Sequence, residues 1–289
     1  MRYLYKLYFL VLLCPILLNG QNLLPPIYNY PIFEYNAASQ NWGVDVNDEG
    51  ELYVANNKGL LHFNGEQWEL YKLPNKTVIR SVAYINKRIY TGSYEEIGYW
   101  QESIKGKLEY TSLTHLITGH TFSSEEFWQI IPEGDNVVFR SFSRIYRYNS
   151  NSIEVINPKS VVTQIAAYKN KVLVAGNPEG ICLLKDDKLI PLPNQEKIKN
   201  QPIIDLAQIE EGLLIATKQN GYFIWNENGM KPWGKELSQE LSLQQLNKII
   251  SLSNGKIAFG TIKNGVYLYD PKTKVIERIN RQTGLQNNT

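Results

Sequence analysis

The carboxylates and histidines of this 289-residue chain are the groups whose type could do acid–base or metal chemistry, and their spacing argues against both. Glycoside hydrolysis needs two carboxylates facing one sugar at a defined separation. The candidates are Glu95, Glu96, Glu125, Glu126 and Glu179. Glu95 and Glu96 are adjacent, so on an extended chain they point to opposite sides; each of the five reads as a solvated loop charge. The chain has three histidines. His62 alternates within a strand-like run, while His115 and His120 share an irregular segment with no cysteine or close carboxylate in the pattern that a metal site needs. Neither a glycine-rich phosphate loop opening a helix nor a nucleophile elbow occurs. The reading is non-enzymatic, with no cofactor and no metal.

Recognition is better supplied than catalysis. Tyr94, Trp128, Phe142 and Arg144 lie in or beside short polar loops that recur along the chain. Aromatic faces with a few fixed hydrogen-bonding groups suit a small molecule or a glycan, neutral or acidic. These four are the candidate ligand contacts. The alternative stays open that Trp128 belongs to the core and the others to ordinary loops. Trp42, Trp68, Trp100 and Trp225 open or close strands at equivalent places and read as core packing.

The elements that must position these residues repeat. Each copy is an apolar strand, a tight polar turn, a strand ending in a small residue, a short loop, a glycine and an aromatic-rich strand. The first copy runs Gly43-Val44-Asp45-Val46, Asp48-Glu49-Gly50, Leu52-Tyr53-Val54-Ala55, then Gly59-Leu60-Leu61-His62-Phe63. The fifth runs Ile204-Asp205-Leu206-Ala207, Glu210-Glu211-Gly212, Leu213-Leu214-Ile215-Ala216, then Gly221-Tyr222-Phe223-Ile224-Trp225. The other four copies keep the order, and the anchor glycines are 59, 98, 180, 221 and 265, with Arg144 in the third slot. Asn, Asp and Gly supply the positive φ of tight hairpins, and branched and aromatic residues fill the strands. A period of about 40 residues with several short strands per unit marks a β-propeller. The expectation is all-β: about six four-stranded blades, an incomplete seven-bladed ring. A two-layer sandwich would not repeat this order. Trp233 to Asn247 has room for a helical turn or two, and Leu108 to Leu113 for an outer strand within the longest insertion, residues 103–127.

Four segments follow. Residues 1–20 read as a signal peptide, with Arg2 and Lys6 ahead of an apolar run too short for the roughly 20 residues of a membrane span. Residues 21–41 form an N-terminal segment with a possible closing strand, 42–282 the blades, and 283–289 the start of a further repeat. Without Arg2 and Lys6, the 30 basic residues fall to 28 and equal the 28 acidic ones. That balance gives no basic face for nucleic acid. Only Cys182 remains beside Cys14, so no intramolecular disulfide can form in the mature chain.

The chain resembles the periplasmic two-component-regulator propeller sensors of Bacteroidetes-type bacteria, and within them the subgroup with a triple-tyrosine module, a membrane helix and a helix-turn-helix output. The resemblance is carried by Gln40-Asn41-Trp42, Ala55-Asn56-Asn57-Lys58-Gly59-Leu60-Leu61-His62-Phe63-Asn64-Gly65, Arg80-Ser81-Val82, Tyr90-Thr91-Gly92-Ser93-Tyr94-Glu95-Glu96-Ile97-Gly98-Tyr99, Leu108-Glu109-Tyr110-Thr111-Ser112-Leu113 and Gly284-Leu285-Gln286-Asn287-Asn288. It implies a periplasmic sensing domain, here an N-terminal fragment without its output, whose parent is anchored in the inner membrane and forms a homodimer. A structural or protein-binding propeller is the alternative; a propeller glycosidase or lyase is disfavoured. Asp48-Glu49-Gly50 lacks the Ser/Thr and Trp that flank the comparable turns of propeller glycosidases.

Overall fold

Side chains alternate across a strand with a period of two, and here both faces of most strands are buried. Val172 and Val174 face one way, Leu173 and Ala175 the other, and all four are buried. Sheets built of such strands must be covered on both sides, and each finds its cover in the next sheet around an axis. The computed structural model describes residues 26–288. The signal-peptide stretch 1–20 and Thr289 lie outside the described residues.

Six four-stranded antiparallel sheets follow one another along the chain. Their first and fourth strands are Asn41–Val46 and Trp68–Tyr71 in blade 1, Ile79–Ile85 and Leu108–Ser112 in blade 2, Gln129–Glu133 and Ile153–Ile156 in blade 3, Val161–Tyr168 and Lys188–Pro191 in blade 4, Ile203–Ile209 and Gly229–Trp233 in blade 5, and Leu246–Ser251 and Ile276–Ile279 in blade 6. Strands pair in sequence order within each blade, and the first strands of successive blades pack side by side around the axis. The molecule is a six-bladed β-propeller.

The core lies between blades. Tyr90, Phe127, Phe139 and Tyr146 fill the space between blades 2 and 3; Val138, Ile145, Ile165 and Val174 fill that between blades 3 and 4. A helix, Lys235–Leu243, links blades 5 and 6 and buries Leu237 and Leu241 in the same cluster as Phe259 and Tyr267. It occupies the stretch where the sequence allows helical turns. Anchor glycines 59, 98 and 265 have a steric reason: a Cβ there would run into a carbonyl oxygen of the neighbouring fourth strand. On Gly98, which pairs with Ser112, it would sit 2.3 Å from the Thr111 carbonyl oxygen.

The seam between the last and first blades is built differently. Among the described residues, no strand of blade 6 packs on blade 1 as the other neighbours pack on each other. The outward face of blade 1, with Val54 and Leu61, is covered instead by Tyr35 and Ala37. Tyr30 adds an edge contact to Trp68, their ring centroids 5.3 Å apart. Asn29 Nδ2 then donates to the Gly284 carbonyl at 2.8 Å, so residues 26–37 link blade 1 to the segment that follows blade 6. The closing strand expected within residues 21–41 is not found among the described ones. A short helix, Ile32–Tyr35, stands there, preceded by Pro26 and Pro31, which cannot donate to a strand ladder.

Candidate functional site

The first strand of five blades carries a register shift at the same point, between Asn41 and Gly43, Ile79 and Ser81, Val162 and Gln164, Ile203 and Asp205, and Leu246 and Lys248. A bulge bends the strand and re-aims the extra side chain. In blades 1 and 2 that extra residue is Trp42 and Arg80. In blade 3 the corresponding residue is Trp128, whose backbone N–H donates to the Arg140 carbonyl at 2.8 Å as the strand begins. Three consecutive blades thus aim Trp, Arg and Trp at one place.

They form a stack. The Arg80 guanidinium lies 4.3 Å from the Trp42 ring and 5.0 Å from the Trp128 ring, and the two indoles meet edge to face at 5.5 Å. Arg80 Nη2 and Nε donate to Glu126 Oε1 at 2.8 and 3.0 Å, which fixes the plane of the cation. Trp42 Nε1 donates to Asn57 Oδ1 at 2.7 Å. Phe142 extends the aromatic surface, 5.7 Å from Trp128, and is about half exposed. A cation held between aromatic faces contributes roughly 0.5–2 kcal/mol, more as it is desolvated.

This surface opens into a central channel of about 780 Å³ lined by the first strands of all six blades. Arg140, Gln164 and Lys248 line it further in. At the position Arg140 occupies on the second strand, the other blades place Ala55, Gly92, Ala175, Ala216 and Gly260. The one large residue in this series is 3 % exposed. Its Nε donates to Gln129 Oε1 at 3.1 Å and its Nη1 to the Val162 carbonyl at 3.2 Å, across the junction with blade 4. Burial pulls its guanidinium down to about 10.

A second polar cluster sits between blades 2 and 3. Glu125 is 4 % exposed and accepts from Ser141 and Ser143 Oγ, each at 2.6 Å; Arg144 Nη1 and His120 Nε2 lie at 3.4 and 3.3 Å. Burial acts to raise its pKa, but the hydrogen bonds it accepts, those from Ser141 and Ser143 foremost, outweigh it and hold the carboxyl at about 2. The cluster locks the Ser141–Arg144 turn. No group of three or more metal-ligating side chains converges among the described residues.

Of the four residues singled out in the sequence, Trp128 and Phe142 line the channel together. Arg144 is engaged with Glu125 and Asn157, and Tyr94, about two-fifths exposed, reaches Ser124 Oγ at 3.5 Å. Trp42, read as core, is instead 39 % exposed at the mouth, because the bulge turns it out of the blade interface. Glu125, read as a solvated charge, is buried, and the chain turns back so that it meets His120 at 3.3 Å. Trp42, Arg80, Arg140 and Gln164, which also line the channel, do not stand out in the sequence as ligand contacts. Arg80 had one visible signal, a charged residue breaking an apolar strand, and Arg140 another, a large residue in a slot otherwise held by Ala or Gly.

No protein-family model and no curated protein matches the sequence. Solved structures do match. The extracellular domain of a hybrid two-component system from B. thetaiotaomicron superposes with a TM-score of 0.63 at 19 % identity, covering 86 % of this chain and 34 % of that one. The chain therefore spans about a third of the length of that neighbour. YCF48 bound to D1 peptide gives a TM-score of 0.66 at 10 % identity, covering 90 % and 88 %. The WD40 propeller domain of Doa1 gives 0.61 at 14 %, covering 82 % and 81 %. At these identities the likeness is one of fold, and the fold shared by all three is the β-propeller.

Proposed function

We propose that this chain is the ligand-sensing propeller of a bacterial signal-transduction protein, acting outside the cytoplasm and taking a small molecule or glycan at the channel mouth. One observation carries the reading: Trp42, Arg80, Trp128 and Phe142, from three successive blades, form an aromatic and guanidinium surface at the entrance of a channel large enough for such a ligand. Small-molecule sites are concave, rich in aromatic faces, and carry few polar groups in fixed positions. No carboxylate lines the channel among the described residues, which favours binding over hydrolysis.

The signalling part of the reading is supported by the likeness in fold to an extracellular two-component domain and by the sequence resemblance to periplasmic propeller sensors. In this reading residues 1–20 export the chain to the periplasm, and a parent protein anchored in the inner membrane passes on the bound state. Binding would shift a pre-existing equilibrium by its differential affinity for two states. No helix of the described residues is long and apolar enough to cross a membrane.

The test is a panel of neutral and acidic mono- and oligosaccharides, titrated into the wild-type chain and Trp128→Ala with tryptophan fluorescence and calorimetry as readouts. Saturable binding to at least one of them, weakened at least tenfold by Trp128→Ala, is the expected result. Binding that Trp128→Ala leaves unchanged, or no binding across the panel, would remove the channel mouth as a sensing site.

A further inference from the structure

Three cations line the channel, Arg80, Arg140 and Lys248, and no acidic residue lines it with them among the described residues. Two of the three are answered from behind the wall. Arg80 pairs with Glu126 at 2.8 Å and Lys248 with Asp205 at 3.0 Å. Arg140 has no carboxylate within salt-bridge distance among the described residues, although it is the most buried of the three. Its two recorded hydrogen bonds go to a neutral amide and a backbone carbonyl, and Nη2 makes none. A buried cation without a counter-ion is costly, and a guanidinium offers a planar fork that matches a carboxylate.

Two buried polar atoms on other channel-lining residues lack partners. Trp128 Nε1 is a donor without an acceptor, and Gln164 Oε1 an acceptor without a donor, its Nε2 being used on the Ile204 carbonyl at 2.8 Å. Buried polar groups are ordinarily paired, and each exception calls for an explanation. A ligand that brought one anionic group and one or more hydroxyls carries the chemistry these side chains lack: the anion answers Arg140, and Trp128 Nε1 and Gln164 Oε1, both shielded from solvent in the free chain, would turn to meet the hydroxyls. Phe142, 5.1 Å below the Arg140 guanidinium, and Trp42 offer ring faces to the rest of such a molecule.

We infer that the channel is selective for a hydroxylated carboxylate of the sugar-acid class, with Arg140 as the residue that takes the carboxylate. The inference rests on the ligand-sensing reading and narrows it. A purely structural Arg140, tying blade 3 to the Val162 carbonyl of blade 4, would give stability without any preference between acidic and neutral ligands. That difference is measurable.

The probes are D-glucuronate, D-glucose and acetate, titrated at constant ionic strength into the full chain, with tryptophan fluorescence and thermal unfolding as readouts. Glucuronate should bind about tenfold to a hundredfold more tightly than glucose, the span of a charge-assisted hydrogen-bonding pair. Arg140→Gln should reduce glucuronate to the level of glucose. Should Arg140→Gln fail to fold, Arg140→Lys keeps a charge without the fork and should lose most of the preference. Equal binding of glucuronate and glucose by the wild-type chain, no response to glucuronate or acetate, or a preference that survives in either variant, would overturn the assignment. Binding of neutral saccharides lost in Trp128→Ala but indifferent to Arg140 would overturn this inference alone and leave the sensing reading standing.

Discussion

Asp205, on the first strand of blade 5, accepts the backbone N–H of Ile249 in blade 6 at 2.7 Å and the ammonium of Lys248 at 3.0 Å. The same device recurs around the axis in other chemistry. Asp45 accepts the Tyr84 N–H at 2.7 Å, Ser81 donates to the Phe127 carbonyl at 2.8 Å, Gln129 accepts the Ile165 N–H at 2.9 Å, and Gln164 donates to the Ile204 carbonyl. Each ties one first strand to the next or, at Phe127, to the residues that lead into it, where no ladder of hydrogen bonds can run between blades.

Removing one such tie should therefore loosen a blade junction. Asp205 is 1 % exposed, and Asp205→Ala would leave the Ile249 N–H and the Lys248 ammonium without their partner. A loss of about 2 kcal/mol in urea unfolding is expected. Asp45→Ala, at a half-buried site, should cost less. Equal and negligible losses at both positions would show that apolar packing alone holds the junctions.

The repeat, and with it the fold, was legible because turn chemistry and strand alternation are local properties. Asn47 to Gly50 and Ser253 to Gly255 announce hairpins without any knowledge of the neighbours. The site was legible only in part, because its composition depends on which blades are adjacent. Trp128 and Phe142 stand out in the sequence as aromatics beside polar loops, and both line the channel. Trp42 and Arg80 reach them only through bulges, which a run such as Gln40-Asn41-Trp42-Gly43 does not advertise. The counter-ion relations that separate Arg140 from Arg80 are invisible until Glu126 is placed.

Glu125 should make the protein acid-sensitive. Its carboxyl is held at about 2 in the folded chain against an ordinary 4.5. A depressed value contributes stability that is present above the unfolded-state pKa and is lost as pH falls from about 4.5 towards 2. The linkage amounts to roughly 3 kcal/mol at most. Glu125→Gln should unfold more readily at pH 7 but lose less stability between pH 5 and 3 than the wild type does. Parallel losses for the two proteins in urea titrations across that range would contradict the assignment.

Two glycine substitutions should separate close approach from backbone conformation. At Gly98 a Cβ would lie 2.3 Å from both the Thr111 carbonyl oxygen and the Tyr110 hydroxyl, so Gly98→Ala must displace the end of a strand. A cost of about 3 kcal/mol or more is expected from such overpacking. At Gly50, with φ at +86° and nothing within 4 Å, only left-handed strain is added, about 1 kcal/mol. Thermal unfolding of the two variants should rank them in that order. The reverse ranking would mean that the third and fourth strands of blade 2 are not pressed together as described.

The seam should be the least protected part of the ring. Val44 on the first strand of blade 1 is 62 % exposed, whereas its register equivalents in blades 4 and 5, Ile165 and Leu206, are 2 % and 6 % exposed; Ile250 on that of blade 6 is 50 % exposed, whereas its equivalents Ala166 and Ala207 are 6 % and 8 % exposed. Local opening is easiest where few apolar contacts must be broken. Amide exchange should accordingly be faster in Asn41–Val46 and Leu246–Ser251 than in Val161–Tyr168 and Ile203–Ile209. Tyr30→Ala should widen the difference, because Tyr30 packs on Phe63 and Trp68 at 5.1 and 5.3 Å and belongs to the segment that links blade 1 to the residues after blade 6. Uniform protection of all four strands would mean that blades 1 and 6 are held as firmly as the rest, and that residues 26–37 do no more than decorate the outer face of blade 1.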